Sequence, residues 1–171
     1  MQPYPTQDDP EYSLYLGIYP KDSLHDAHWA LLLIHPDSTT CDVYQSVQTP
    51  NQSIPYDRKM LKYQDISDIT SDSAYCGRLG TIQADDKMKF SLKYFDTVPG
   101  PSQFFVLRFL FALAEEGLVE QLVVRDVARI ASYSAGELEE YGDMHFPADR
   151  EFLDAHGGYF AIPERDGKAF G

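Results

Sequence analysis

The sequence predicts an α+β protein in which a small, mostly antiparallel sheet packs on a buried core helix. Residues 28–35 are apolar on both faces and residues 40–47 alternate, so the turn residues 36–39 between them predict a hairpin. Residues 103–116 are apolar around nearly the whole circumference of a helix, which is typical of a core element. The length of 171 residues, 43% of them apolar, fits one domain with a proper core.

The remaining predicted strands are short. Residues 13–19 have the composition of a strand and follow a polar segment, residues 1–12, which we expect to be a flexible tail. Residues 48–73 are polar and have no clean period, which favours a long loop with one short strand near residues 60–63. We expect a further short strand at residues 78–82.

A helix is expected at residues 85–95, ahead of the core helix. This segment begins with acids and places Met88, Leu92 and Phe95 at helical spacing. The alternation of residues 89–94 also fits a strand, so the pattern leaves that alternative open.

A second, amphipathic helix is expected at residues 118–133, after Gly117 ends the core helix. Its apolar side contains Leu122, Val123, Val127 and Ile130. Acids outnumber bases in residues 136–171, which we interpret as an acidic C-terminal extension. The sequence therefore predicts a single α+β domain at residues 13–135 between the tail and this extension.

The balance of charge restricts the class of partner. The 27 acidic and 14 basic side chains give a formal charge of −13, which repels phosphate backbones and anionic membrane surfaces. No apolar run reaches the roughly 20 residues that cross a bilayer. We therefore expect a small-molecule substrate or ligand, and neither nucleic acid nor a membrane as a partner. The oligomeric state stays open.

The two cysteines and the N-terminal composition indicate a compartment. The first residues carry acid and proline where a secretory signal carries positive charge and an apolar stretch. We therefore expect a cytoplasmic protein in which Cys41 and Cys76 are free thiols.

Sequence motifs for cofactors and metals are absent. There is no phosphate-binding glycine loop, no dinucleotide fingerprint, no HExxH and no paired CxxC. His25 and His28 have i, i+3 spacing, but they precede a strand, where this spacing does not direct both side chains to one ion. We expect neither a cofactor nor a metal.

Two short motifs carry a resemblance to a known family. One is His28-Trp29-Ala30-Leu31 at a strand start, and the other is Ser102-Gln103-Phe104-Phe105-Val106 at the start of the core helix. Over residues 13–116 the chain resembles the circularly permuted papain-like proteins, which include the lecithin–retinol acyltransferase-like group, and most closely small fungal proteins of that kind.

The resemblance implies three site residues. In the family a histidine opens the strand, a second polar residue lies on the next strand, and the nucleophilic cysteine of an Asn-Cys motif begins the buried helix. His28 matches the histidine, Gln45 stands at the second position, and Ser102 replaces the cysteine, with Pro101 in place of the asparagine.

The physical chemistry of these positions supports a catalytic interpretation. A serine at a helix N-terminus gains less from the helix dipole than a thiol and needs a base to accept its proton. His28 is the candidate base, and we expect it within a direct or water-mediated hydrogen bond of Ser102. The predicted turn pairs Ala30 with Gln45 and His28 with Val47, which brings Gln45 diagonally within reach of His28 to orient its imidazole.

Each of these residues also has a structural interpretation. Serine before a helix is a preferred cap, a histidine at a strand end is often only hydrogen-bonded or exposed, and Gln45 is often structural at such a place.

Three functions therefore stay open. The first is a small-molecule enzyme: a hydrolase, an acyltransferase, or a cyclase or isomerase that uses His28 as acid and base, as would suit fungal secondary metabolism by analogy. The second is a catalytically inactive relative that binds a ligand or a protein. The third is a purely structural interaction module.

Overall fold

The computed structural model describes residues 10–19, 27–50, 53–73 and 75–131. They form a mixed α+β fold around one antiparallel sheet. The strands are β1 (Glu11–Tyr19), β2 (His28–Ile34), β3 (Thr40–Gln48), β4 (Tyr56–Asp65) and β5 (Tyr75–Gln83). The helices are α1 (Ile66–Thr70), α2 (Lys87–Asp96), α3 (Ser102–Glu115) and α4 (Gln121–Arg129). The spatial order of the strands is β4-β3-β2-β1-β5, which places β2 at the centre.

The central position of β2 explains why its sequence is apolar on both faces. Trp29, Leu31 and Leu33 point into a large core that contains residues of α2, α3 and α4. Ala30 and Leu32 point to the opposite face, where a smaller apolar cluster packs against α1. Since successive side chains of a strand alternate between faces, only a strand covered on both sides needs this pattern.

The large core is organised around one tyrosine and the helix α3. The ring of Tyr44 lies 5.0 Å from the rings of Phe90 and Tyr94, in edge-on geometry. Phe105 and Phe109 of α3 are fully buried beside them. Edge-on aromatic pairs contribute about 1 kcal/mol each beyond the area that they bury, so this group holds α2 and α3 on the sheet.

The long loop predicted for residues 48–73 is wrong, but the short strand predicted near residues 60–63 lies within a strand of the structure. The structure has the ten-residue strand β4 and the helix α1 there. β4 is an edge strand with one side open to solvent, and it carries charged residues such as Asp57 and Lys59. Edge strands commonly carry charge, which hides the apolar alternation on which the prediction depended.

The helix predicted at residues 85–95 is confirmed as α2, and the strand alternative is wrong. The apolar face predicted for this helix is wrong. Met88, Leu92 and Phe95 are 74%, 57% and 55% exposed, whereas Phe90 and Tyr94 are buried. Both sets have helical spacing, and packing on Tyr44 selects the second set.

The other element boundaries shift by a few residues. β1 already begins at Glu11, so the predicted tail overlaps the strand, and residues 1–9 lie outside the described part. α4 is shorter than the predicted helix at residues 118–133, and Leu122 of its predicted apolar side is 63% exposed. The acidic extension at residues 136–171 also lies outside the described part. None of the helices described is long and apolar enough to span a membrane.

Candidate active site

The register of the β2–β3 hairpin places the candidate residues. Leu31 lies opposite Tyr44 and Ile34 lies opposite Cys41, which is the register predicted from the turn. The same register sets Gln45 diagonally across from His28.

The imidazole of His28 is bonded to the side chain of Gln45. His28 Nε2 lies 2.7 Å from Gln45 Oε1. An amide oxygen only accepts hydrogen bonds, so this contact assigns the proton of the neutral ring to Nε2 and the basic lone pair to Nδ1. Gln45 is 9% exposed and His28 is half-buried, so the amide holds the ring orientation from inside the fold.

The start of α3 is hydrogen-bonded to both strands of the hairpin. These bonds lie beyond the residues that β2 and β3 pair with each other. The Trp29 N–H donates to Ser102 Oγ at 3.0 Å, and Ser102 Oγ donates to the Ala27 carbonyl at 3.3 Å. On the β3 side, the Gly100 N–H donates to Ser46 Oγ at 3.1 Å, and the same hydroxyl donates to the Gly100 carbonyl at 2.7 Å. The Ser102 hydroxyl thus bonds the start of α3 to the main chain beside His28, and the Ser46 hydroxyl of β3 bonds to the main chain of Gly100 just before α3.

The interpretation of Ser102 as a helix cap is wrong. Pro101 is at the capping position, no side chain caps the helix, and Ser102 is the first helical residue. Both hydrogen bonds of its hydroxyl go instead to the peptide groups that flank His28. Ser102 and His28 are therefore neighbours through the main chain of β2. A water-mediated contact between their side chains stays a prediction.

His28 and Gln45 line a cavity of about 270 Å³ on the face of the sheet that α1 covers. Six more residues line it: Tyr19, Val43, Leu61, Asp68, Ile69 and Asp72. Sequence reasoning missed these six. Four of them lie in residues 48–73, which it assigned to a long loop with one short strand: Leu61, Asp68, Ile69 and Asp72.

Tyr19 closes one side of this cavity and attaches α1 to the sheet. Its hydroxyl donates to the Ile69 carbonyl at 2.9 Å. Burial raises the pKa of Tyr19 well above its ordinary value, and electrostatic coupling to the ionisable neighbours Cys76, Cys41 and Asp72 raises it further. The phenol therefore stays protonated at neutral pH and acts as a fixed hydrogen-bond donor to α1.

Cys41 and Cys76 are both buried free thiols, which confirms that prediction. No group of three or more His, Cys, Asp or Glu in the described part of the chain is arranged to hold a metal ion.

No known protein family, curated protein or solved structure matches this chain. The fold and the site define a mixed α+β protein with a five-stranded antiparallel sheet and a histidine–glutamine pair that lines a cavity. Its papain-like relationship stays a proposal.

Proposed function

We propose that this protein is a small-molecule enzyme on a degenerate papain-like scaffold, in which His28 transfers protons without a covalent intermediate. Cyclases and isomerases use such acid–base chemistry. The observation that carries the proposal is the hydrogen bond between His28 Nε2 and Gln45 Oε1 at the wall of a cavity. The tailoring of a small fungal metabolite is an expectation that depends on the resemblance alone.

Gln45 has a definite role in this proposal. Its amide oxygen accepts from Nε2–H, so the ring presents Nδ1 as the nitrogen that takes up a proton. A carboxylate at the same place would favour the imidazolium, whereas the neutral amide orients the ring without adding charge. The pair therefore suits a group that both accepts and returns a proton.

The contacts of Ser102 favour this chemistry over a covalent mechanism. A serine nucleophile directs its hydroxyl proton to a base. The Ser102 hydroxyl donates to the Ala27 carbonyl and accepts from the Trp29 amide, so both of its hydrogen bonds serve the main chain. A cyclase or an isomerase needs no nucleophile, and the replacement of the family cysteine by Ser102 leaves such a reaction intact.

The position of α3 supports the papain-like scaffold. In the family a strand histidine and a helix-start nucleophile come together. Here the start of α3 is bonded to β2 on both sides of His28. The order of strand histidine, strand glutamine and helix serine along the chain is that of the resemblance.

Proton exchange tests the proposal without knowledge of the natural substrate. A panel of small ketones in D₂O, followed by proton NMR, reports deuterium incorporation next to the carbonyl, which requires only a base. We expect His28→Ala to lower the rate by about 10²- to 10⁴-fold, the usual contribution of a positioned base. Ser102→Ala is the matched control, and we expect a change of less than about tenfold, the size of a positioning effect.

Two results would count against the proposal. Equal exchange by the wild type and His28→Ala across the panel would favour a protein that binds its ligand without catalysis. A loss of exchange in Ser102→Ala but not in His28→Ala would contradict the acid–base role assigned to His28.

A further inference from the structure

The helix α2 has a second apolar face, which the described part of the chain leaves exposed. Met88, Leu92 and Phe95 are each more than half exposed, although the opposite face of the helix is buried on the sheet. Their spacing of four and three residues places the three side chains in one row. Val98, just after the helix, is also more than half exposed. These four residues are named the α2 stripe below.

A row of this kind indicates an interaction surface. Single apolar residues are ordinary on a protein surface, whereas a continuous group of large ones is typical of a binding site for another segment or protein. The contact of α2 with Tyr44 does not need the stripe, because the buried face of the helix already makes that contact. The stripe is therefore suited to a contact that the described residues do not supply.

Lysines border the α2 stripe on both sides. At 3.6 residues per turn, Lys87 lies on one flank, and Lys89 and Lys93 lie on the other. Lys87 is near Asp42 and Lys93 pairs with Glu116, whereas exposed Lys89 is in none of the ion pairs of the described residues. The helix has three lysines and one acid in a protein of formal charge −13. This surface is complementary to an acidic segment with apolar side chains.

The acidic C-terminal extension contains such a segment. Residues 136–171 hold nine acids and three bases, and residues 137–146 hold four acids and no lysine or arginine. The large apolar side chains of residues 137–146 are Leu138, Tyr141, Met144 and Phe146. Acids and large apolar residues are thus interspersed in this segment, as lysines and large apolar residues are on α2.

The extension starts close enough to reach the stripe. The helices α2 and α4 both pack on α3, and packed helices have axes roughly 8–10 Å apart. Because α3 has 14 residues and is about 21 Å long, its contacts with α2 and α4 lie within about 40 Å of each other. The chain between residues 131 and 146 spans up to about 50 Å when it is extended.

A second copy of the chain fits the stripe less well. Pairing of two α2 stripes brings the lysines of one copy against the lysines of the other, and like charges that face each other oppose binding. The charge of −13 on each copy adds a long-range repulsion. A segment of the same chain meets neither obstacle.

We infer that residues 137–146 bind the α2 stripe of the same chain. Their apolar side chains cover Met88, Leu92 and Phe95, and their carboxylates lie beside Lys89. The helix α2 packs on the face of the sheet opposite to the cavity, so this inference does not depend on the proposed function.

The oxidation of Met88 measures whether the stripe is covered. Hydrogen peroxide converts accessible methionines to sulfoxides, and peptide mass spectrometry gives the rate at each methionine of the full chain. Leu138→Ser with Tyr141→Ser should raise the Met88 rate about tenfold, since a segment bound in about nine-tenths of the molecules leaves one-tenth of the Met88 side chains free. The matched control is Phe152→Ser with Tyr159→Ser, which changes the extension outside the segment and should leave the rate within about twofold.

A lysine pair tests the contribution of charge. Lys89→Gln should raise the Met88 rate about twofold to threefold, which is the size of an exposed ion pair. Lys59→Gln changes an exposed lysine of β4 and should leave the rate unchanged.

Three results would overturn the inference. Equal Met88 rates in the native chain and in the Leu138 and Tyr141 variant would show that the segment does not cover the stripe. Protection of Met88 that increases with protein concentration would show that a second copy covers it. A rise at Met60, which packs against the core, as large as the rise at Met88 would show that the segment stabilises the whole fold instead.

Discussion

The β2–β3 hairpin has a histidine at each end, and the two have different surroundings. His35 is 7% exposed, and its Nδ1 lies 2.6 Å from Thr40 Oγ1. Its Nε2 lies 3.0 Å from Asp42 Oδ1, although outside hydrogen-bond geometry. Asp42 is 1% exposed and also lies 3.8 Å from Lys87 Nζ. This histidine belongs to a buried charged group.

The protein surrounds that charged group closely. Asp42 Oδ1 accepts the Tyr63 N–H at 3.0 Å, and Tyr63 has a left-handed backbone with φ of 54°. The ring of Tyr63 lies 4.8 Å from that of His35. A left-handed tyrosine is strained, and the Asp42 hydrogen bond helps to hold it in this conformation.

His28, at the other end, is bonded to a neutral amide and lines a cavity. A histidine that is enclosed by charged side chains and aromatic rings, as His35 is, serves stability. A histidine beside a cavity has room to act on a ligand. In the sequence the two residues look alike, since they bracket the same apolar strand.

The largest expected effect is a difference in thiol reactivity between the two ends. In Ser102→Cys, the Trp29 N–H and the start of α3 favour the thiolate, so the pKa should fall below the roughly 8.5 of a free cysteine. At the other end, burial and the neighbouring Asp42 raise the pKa of Cys41 to about 12. Alkylation by iodoacetamide at pH 7, followed by mass spectrometry, should be on the order of 10³-fold faster at position 102.

Adding His28→Ala to Ser102→Cys shows whether the imidazole contributes to this reactivity. A slower reaction in the double variant would support a short distance between the two side chains. A thiol at position 102 that is as inert as Cys41 would contradict the role assigned to the start of α3.

The next effect concerns the buried charge of Asp42. Asp42→Ala leaves the Tyr63 N–H without its acceptor and removes the negative partner of His35 and Lys87. Breaking a buried ionic group costs about 3 kcal/mol of unfolding free energy, which urea denaturation measures.

Asp126→Ala is the control for this loss, because Asp126 pairs with Arg129 on an exposed helix surface. We expect little change in this variant. Similar losses in the two variants would show that the charged group at the His35 end adds nothing to stability.

A smaller loss is expected for Ser102→Ala. The change removes two hydrogen bonds between the hydroxyl and β2, worth about 1 kcal/mol of unfolding free energy. Ser71→Ala removes an exposed hydroxyl at the end of α1 and should change stability by less than about 0.5 kcal/mol. If both variants unfold at the same urea concentration, the bonds from Ser102 to β2 are not stabilising.

The smallest effect is expected for His28→Leu. It removes the neutral hydrogen bond between half-buried His28 and Gln45, so the unfolding free energy should fall by about 0.5 kcal/mol. His35→Leu removes a partner of buried Asp42 and should cost more. Thermal unfolding of the two variants decides the comparison. A larger loss for His28→Leu would reverse the roles assigned to the two histidines.

The hairpin could be predicted from the sequence because its determinants are local. The Asp37 carboxylate accepts from the N–H groups of Thr39 and Thr40 at 2.9 and 3.2 Å, which forms the turn. These hydrogen bonds also lower the pKa of Asp37. A turn of known length sets the register, and the register predicted the approach of Gln45 to His28.

The helix α3 was predictable for a similar reason. Its run of apolar residues between Pro101 and Gly117 determines both its ends and its burial. For α2 the sequence offers two apolar faces of similar spacing. The buried face is chosen by the ring that Tyr44 presents from β3, more than 40 positions away in the chain.

The sequence by itself determined the α+β class, the hairpin register and the core helix, because turn chemistry and apolar periodicity act over a few residues. Only the tertiary structure decided the cavity, the full length of strand β4, and the attachment of Ser102 to the main chain beside His28. These features join residues up to 75 positions apart, such as Ser102 and Ala27. Contacts of that range depend on the packing of whole elements, and a local pattern does not specify them.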